Sequence, residues 1–278
     1  MALQFILGGS GSGKTYDIQK KITGEADKYP HKNYFFVVPE QFTMQTQREL
    51  VLMQKANCVM NIDIVSFARL AYRVFDELGN FPYQVLEETG KNLILRRVAQ
   101  ANQEKLSVLQ KNITKMGYIS EIKSLISELA QYNVTPEELE KVCGELPAGG
   151  FSMKLKDVLV MYQGFLDFLQ GKFVTQEEIL ELLIDVADSS KLLRDCTLVF
   201  DGFTGFTPIQ KKLFRKLLGL AGEIYVTVTI DERESFYRCT GSHELFAMSK
   251  KMILSLTKMA GECHVEVLKP LVIPFGKN

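Results

Sequence analysis

The sequence predicts an α/β fold in which a parallel sheet is interrupted by an all-helical insertion. Three observations predict it. First, Gly8-Gly9-Ser10-Gly11-Ser12-Gly13-Lys14-Thr15 fits G-x-x-x-x-G-K-[ST] throughout. It directly follows the apolar run at residues 3–7, giving the strand–loop–helix context that this P-loop motif needs. Second, residues 34–38 and 197–200 are continuous runs of apolar or β-favouring residues, as expected of strands buried on both faces. Third, from residue 84 to residue 190 the pattern becomes helical, with little strand signal.

The elements follow in order. Residues 3–7 form the first strand, and a helix starts near Lys14. The strand at 34–38 stops at Pro39, and a helix is expected from about 41 to 55. A further strand covers 62–65. The helix that begins near Phe67 places Leu70, Val74 and Leu78 along one side. In the central segment Leu93, Ile94, Arg97 and Val98 share a helical pattern. Thr135-Pro136-Glu137-Glu138 reads as a helix start, with threonine capping, proline in the first turn and glutamate at the third position. Thr175-Gln176-Glu177-Glu178 repeats the Thr-x-x-Glu box, and Leu146-Pro147-Ala148-Gly149-Gly150 separates two helices. The α/β pattern then returns. A strand at 197–201 ends in Asp201, Thr207-Pro208 opens a helix to about residue 220, and residues 223–230 form a strand. A helix at about 244–259 and a strand at 264–268 close the chain. The expected organisation is an α/β domain of residues 1–83 with 191–278, split by a helical segment of residues 84–190.

The glycines of the motif allow the backbone to wrap closely, so that several N–H groups point at one phosphate chain. The following helix adds a partial positive charge at its N-terminus. Gly8, Gly9, Ser10, Gly11, Ser12, Gly13, Lys14 and Thr15 are therefore the candidate nucleotide-binding residues. Lys14 is expected to reach the β- and γ-phosphates of ATP, and the Thr15 hydroxyl to ligate Mg²⁺. Asp201, ending a buried strand, is the candidate second holder of Mg²⁺. Gly202 follows it, where hydrolytic motors commonly carry a glutamate that activates water. General-base assistance contributes about 10²–10⁴-fold, so the chain is expected to hydrolyse ATP poorly by itself, and no catalytic residue is assigned.

Composition limits the alternatives. Of 278 residues, 46% are hydrophobic and 24% charged, with net charge zero, so any DNA contact must be local rather than due to a global basic field. No apolar run reaches the roughly 18 residues needed to cross a bilayer. Nor does a basic segment precede the first apolar run, so neither signal peptide nor membrane partner is expected and the location is expected to be cytoplasmic. Cys58, Cys143, Cys196, Cys239 and Cys263 lie far apart without a C-x-x-C pair, which suits reduced thiols. His31, His243 and His264 are equally scattered. Lys211, Lys212, Arg215 and Lys216 form a basic helical cluster that reads first as a solvated face.

The motifs together resemble superfamily 1 helicases of the UvrD/RecB type. Their second motif, roughly D-E-F-Q-D-[TS]-x-P-x-Q, corresponds to Asp201-Gly202-Phe203-Thr204-Gly205-Phe206-Thr207-Pro208-Ile209-Gln210, which keeps the first aspartate, the phenylalanine, the proline and the final glutamine. Ser66-Phe67-Ala68-Arg69-Leu70-Ala71 resembles T-F-H-S-L-A with alanine for histidine. No G-D-x-x-Q follows residue 220, where Val226-Thr227-Val228-Thr229 stands, and the upstream adenine-reading glutamine motif has no counterpart. A kept P-loop in an eroded motor is similar to the N-terminal part of the AddB (RexB) family. Val38-Pro39-Glu40-Gln41-Phe42-Thr43 and His243-Glu244-Leu245-Phe246 agree with that family as well. The resemblance implies the processing of double-strand DNA ends for recombinational repair, beside an AddA-type helicase–nuclease subunit. It also implies recognition of the Chi sequence on single-stranded DNA. The family's nuclease domain and iron–sulphur cluster lie C-terminal to the part matched, and nothing in these 278 residues corresponds to them.

The same resemblance places Gln41, Thr43, Phe67, Arg69, Tyr72 and Phe206 on loops that face single-stranded DNA. Aromatic faces can stack on bases, and Gln and Arg can read base edges or hold phosphates. Read without it, Phe67 and Tyr72 are core positions at helical spacing and Arg69 is solvated. Two other function classes remain open at this point: a small-molecule P-loop kinase, for which the arginines show no lid-like cluster, and a structural module whose P-loop is a relic.

Overall fold

The computed structural model describes residues 1–53, 61–79, 84–110, 112, 115–147, 149–170 and 172–274. Cys58 and the end of the helix expected at 41–55 therefore lie outside the described residues or at their edge. The chain divides into two compact units: Met1–Asn80 with Leu182–Phe206 and Gln210–Asn278, and Phe81–Glu181 with Thr207–Ile209.

The first unit is built on a parallel sheet. Its elements are β1 (Ala2–Gly8), α1 (Lys14–Lys28), β2 (Tyr34–Val37), α2 (Thr43–Met53), β3 (Ile62–Val65) and α3 (Phe67–Leu78). The helical unit contributes β4 (Gln84–Val85), α4 (Glu88–Ala101), α5 (Met116–Gln131), α6 (Pro136–Glu145), α7 (Gly150–Leu169), β5 (Phe173–Val174) and most of α8 (Gln176–Val186). The chain continues through β6 (Thr197–Phe200), α9 (Pro208–Leu218), β7 (Glu223–Thr229), α10 (Ala247–Glu262), β8 (Glu266–Val267) and β9 (Leu271–Ile273).

The sheet order is β3-β2-β6-β7-β1-β8, with β9 also on β1, and every described pairing is parallel. Parallel neighbours require crossover connections, which cover the sheet with helices. The apolar runs accordingly disappear from solvent: all four residues of β2 and all four of β6 are buried. Ile18 and Ile22 of α1 pack with Ile6, Phe36, Val199 and Tyr225 of the strands in one continuous core.

Local signals explain the helix boundaries that matter for the site. Ser66 caps α3 by accepting the Arg69 N–H, and Gly79, at φ +65°, ends it in the left-handed region that favours glycine. Phe67, Leu70, Ala71, Val74 and Phe75 form its buried face. A short 3-10 turn, Glu40–Phe42, precedes α2, so the helix expected from residue 41 begins as a tighter coil.

In the helical unit both Thr-x-x-Glu boxes close. Thr135 and Glu138 exchange backbone and side-chain bonds of 3.1 and 3.3 Å, and Thr175 and Glu178 do so at 2.7 and 3.3 Å. Asp157, 2% exposed, accepts from the backbone N–H groups of Ser107, Val108 and Leu109 and from the Ser107 hydroxyl. It pins the irregular segment after α4 to α7. The segment is not all-helical as expected, because β4 and β5 form a two-residue parallel ladder. Strands this short carry no alternation to read. β9 escapes sequence reading for the same reason, and the last helix lies three residues later than its pattern suggested.

Candidate nucleotide cradle and DNA-facing surface

β1 ends at Gly8 and α1 begins at Lys14, with the glycine-rich loop between them. Gly11 and Gly13 adopt φ of +74° and +90°, so their identity is dictated by the backbone. Gly8 is required for a different reason. A Cβ there would lie 2.5 Å from Ser12 Oγ and 2.7 Å from the Ile273 carbonyl oxygen, the latter on the backbone of β9.

Lys14 is 8% exposed and folds back over the loop, donating to the Gly8 carbonyl at 3.0 Å and the Gly9 carbonyl at 2.6 Å. Burial lowers its pKa, and the nearby Asp201 charge partly opposes that. The Thr15 hydroxyl donates to the Asp201 carboxylate at 3.0 and 3.2 Å, and the Thr227 hydroxyl donates to the same carboxylate. Asp201, at the carboxyl end of β6, thus meets the P-loop across β7, which lies between β6 and β1. Crevices at the carboxyl ends of parallel strands are where such sheets bind ligands. Thr227 is a participant that motif reading missed; its only sequence signal is a hydroxyl within an otherwise apolar stretch of β7.

The residues suit Mg²⁺ and a phosphate chain. A hydroxyl and a carboxylate in contact are hard oxygen donors, and Mg²⁺ commonly takes one or two carboxylates with phosphate oxygens and water. Among the described residues, the buried Ser12 Oγ has no hydrogen-bond partner, which leaves a polar atom in the loop able to meet a phosphate oxygen. Gly202, directly after Asp201, has φ +80°. The space around it is open enough, with Pro39 and Phe42 at ordinary contact distance, but a glutamate there would have to hold a left-handed backbone.

The six positions expected to face DNA fall into two classes. Gln41 and Arg69 are exposed, and Arg69 pairs with Glu40 at 3.3 Å. Tyr72 is half-buried. Thr43 is 4% exposed and its hydroxyl donates to the Glu40 carbonyl at 2.9 Å. Phe67 and Phe206 are 7% and 9% exposed. They belong to an aromatic cluster with Phe200, Phe203 and Phe214, in which ring centroids lie 5.0–6.4 Å apart. In this arrangement Thr43, Phe67 and Phe206 support the surface rather than form it. Sequence reasoning passed over Phe42, which is 43% exposed beside Gln41. Two of the four basic residues of α9 are engaged by neighbours: Arg215 pairs with Glu262, and Lys216 pairs with Asp188. Among the described residues no helix is long and apolar enough to cross a membrane.

The family profile described as ADDB, N-terminal, matches residues 5–276. The B subunit of the ATP-dependent helicase/deoxyribonuclease of Lachnoclostridium phytofermentans is 42% identical over 275 residues, covering 98% of this chain and 24% of that protein. The proteins of the same name from Alkaliphilus metalliredigens and Clostridioides difficile are 31% and 30% identical over 267 and 279 residues, covering 96% and 99% of the chain. The chain spans about a quarter of the length of these relatives. With a profile matched almost end to end and relatives aligned over nearly the whole chain, this protein belongs to the AddB N-terminal family.

Proposed function

We propose that this chain is the ATP-binding, helicase-like scaffold portion of a helicase–nuclease subunit that processes double-strand DNA ends for recombinational repair. Its first unit is read as a superfamily 1-type P-loop domain, with residues 84–190 as a helical insertion. The observation that carries the proposal is the convergence of Lys14, Thr15 and Asp201 on one glycine-rich loop, with Gly202 in the place of a water-activating glutamate.

In this reading the loop N–H groups and Lys14 hold the phosphates. Lys14 leaves the Gly8 and Gly9 carbonyls, an exchange of neutral acceptors for anionic ones. Thr15 and Asp201 would hold Mg²⁺, which supplies charge neutralisation on the β- and γ-phosphates when bound. Thr227 orients the Asp201 carboxylate. No side chain at Gly202 takes a proton from water, so the chain binds ATP·Mg²⁺ and hydrolyses little of it. The exposed Gln41 and Arg69, with Tyr72, contribute to capture of single-stranded DNA, including the Chi sequence, over the aromatic base formed by Phe67 and Phe206. An AddA-type subunit supplies the active motor.

The test combines binding with sequence response. Saturating ATP·Mg²⁺ at 100 times its dissociation constant stabilises a single-site protein by about 2.7 kcal/mol. The expected result is a raised melting temperature that Lys14→Ala abolishes, together with a weakened Chi response of the assembled complex carrying Gln41→Ala or Arg69→Ala. A melting curve that ATP·Mg²⁺ leaves unmoved would return the P-loop to a relic, and an unchanged Chi response would remove Gln41 and Arg69 from the DNA path.

A further inference from the structure

The P-loop opens on one side into a cavity of about 390 Å³, lined from the loop by Gly11, Gly13, Lys14 and Thr15. The remaining wall has the chemistry of neither a phosphate site nor a core. Tyr16 stands one residue beyond Thr15, on the first turn of α1, and is 50% exposed. The same cavity is lined by Gln45 and Glu49 of α2 and by Gln19 of α1. The Glu49 carboxylate is held by two amides. Gln45 Nε2 donates to one oxygen at 2.9 Å and Gln19 Nε2 to the other at 3.3 Å. Gln19 is 1% exposed, so one of the two amides that orient the carboxylate is fixed by burial.

These groups complement a nucleobase. A phosphate chain anchored at Lys14 and Thr15 leaves the loop at the first turn of α1, where the Tyr16 ring offers a flat stacking face. A carboxylate is acceptor-only, with lone pairs left after one bond to each oxygen. It matches the exocyclic amino group of adenine, guanine or cytosine and opposes the O4 carbonyl oxygen of uracil. We propose that this cavity is the nucleobase subsite of the P-loop: Tyr16 stacks on the base, and Glu49, oriented by Gln19 and Gln45, accepts a hydrogen bond from its amino group. The subsite therefore takes amino-bearing bases, ATP well ahead of UTP. It rests on the reading of Gly8–Thr15 as a phosphate cradle.

A second cavity, of about 490 Å³, lies against Gly9 and Ser10 and is lined by Asp231, Arg233 and Phe246. It meets the first half of the loop rather than the Thr15 end. There Arg233 is already engaged by Asp231, whose carboxyl it holds down at about 2. It is the competing place for the base.

Dissociation constants of the chain for ATP, UTP and inorganic tripolyphosphate, each with Mg²⁺, separate the readings. Stacking on an aromatic side chain corresponds to roughly 5- to 150-fold in affinity. Tyr16→Ala should weaken ATP about tenfold and leave tripolyphosphate unchanged, with Tyr16→Phe close to the native protein. Glu49→Gln should narrow the preference for ATP over UTP. If Tyr16→Ala leaves ATP binding unchanged, or if Phe246→Ala carries the loss instead, the subsite is misplaced. If neither ATP nor tripolyphosphate binds, the phosphate cradle itself falls and this subsite with it.

Discussion

The nucleotide cradle and the surface assigned to DNA occupy the same unit and both follow from sequence motifs, yet they differ in how their residues are held. In the cradle, identity follows from backbone geometry and short polar contacts: Gly11 and Gly13 at positive φ, Gly8 against the backbone of β9, Lys14 over its own loop, Asp201 shared by Thr15 and Thr227. On the surface proposed to face DNA, residues of the same motifs separate by burial. Phe67 and Phe206 lie in an aromatic cluster, while Gln41 and Arg69 are exposed. A motif that encodes a backbone shape locates its own side chains. A motif that encodes a loop does not say which of its residues reach solvent.

Substitutions can break or sharpen this contrast. The largest effect is expected at Lys14, where alanine should remove the entire ATP-induced rise in melting temperature while leaving the unliganded protein folded. Differential scanning fluorimetry reads both. Next comes the aromatic base. Phe→Ala in a core typically costs about 3–5 kcal/mol, so Phe206→Ala should lower stability by that order in denaturant melts. Arg69→Ala, at an exposed pair with Glu40, should stay within about 1 kcal/mol. If the two were equally costly, the division into support and surface would be wrong. A smaller effect is expected with pH. Burial lowers the Lys14 pKa, and phosphate contact needs the ammonium form. ATP affinity should therefore hold below that lowered pKa and fall as pH rises through it, at a lower pH than an ordinary lysine would give. Isothermal titration across alkaline pH measures this, and Lys14→Arg should flatten the fall. The smallest change is expected for Gly202→Glu. The left-handed backbone at φ +80° disfavours any side chain there, so steady-state assays of this variant should show no motor-like ATP turnover.

Much of the parallel sheet is legible in the sequence, because buried parallel strands are continuous apolar runs and both helix-capping boxes are local in sequence. The joint between Thr15 and Asp201, 186 residues apart, is reachable because both ends belong to recognisable motifs. The part played by Thr227 is not, since nothing local marks which hydroxyl of β7 meets Asp201. β4, β5 and β9 are two or three residues long and exist through pairing alone. The neutralisation of Arg215 by Glu262 and of Lys216 by Asp188 likewise depends on tertiary contacts that a charge pattern does not contain.

The central claim is that the chain keeps ATP binding after losing the group that activates water. A single-turnover experiment with labelled ATP·Mg²⁺ and excess chain measures bound nucleotide and released phosphate in the same sample. The account predicts stoichiometric binding, abolished by Lys14→Ala, with phosphate release slower than a helicase motor by about the 10²–10⁴-fold that a general base contributes. Phosphate release at a motor's rate, or no bound nucleotide at saturating ATP·Mg²⁺, would contradict it.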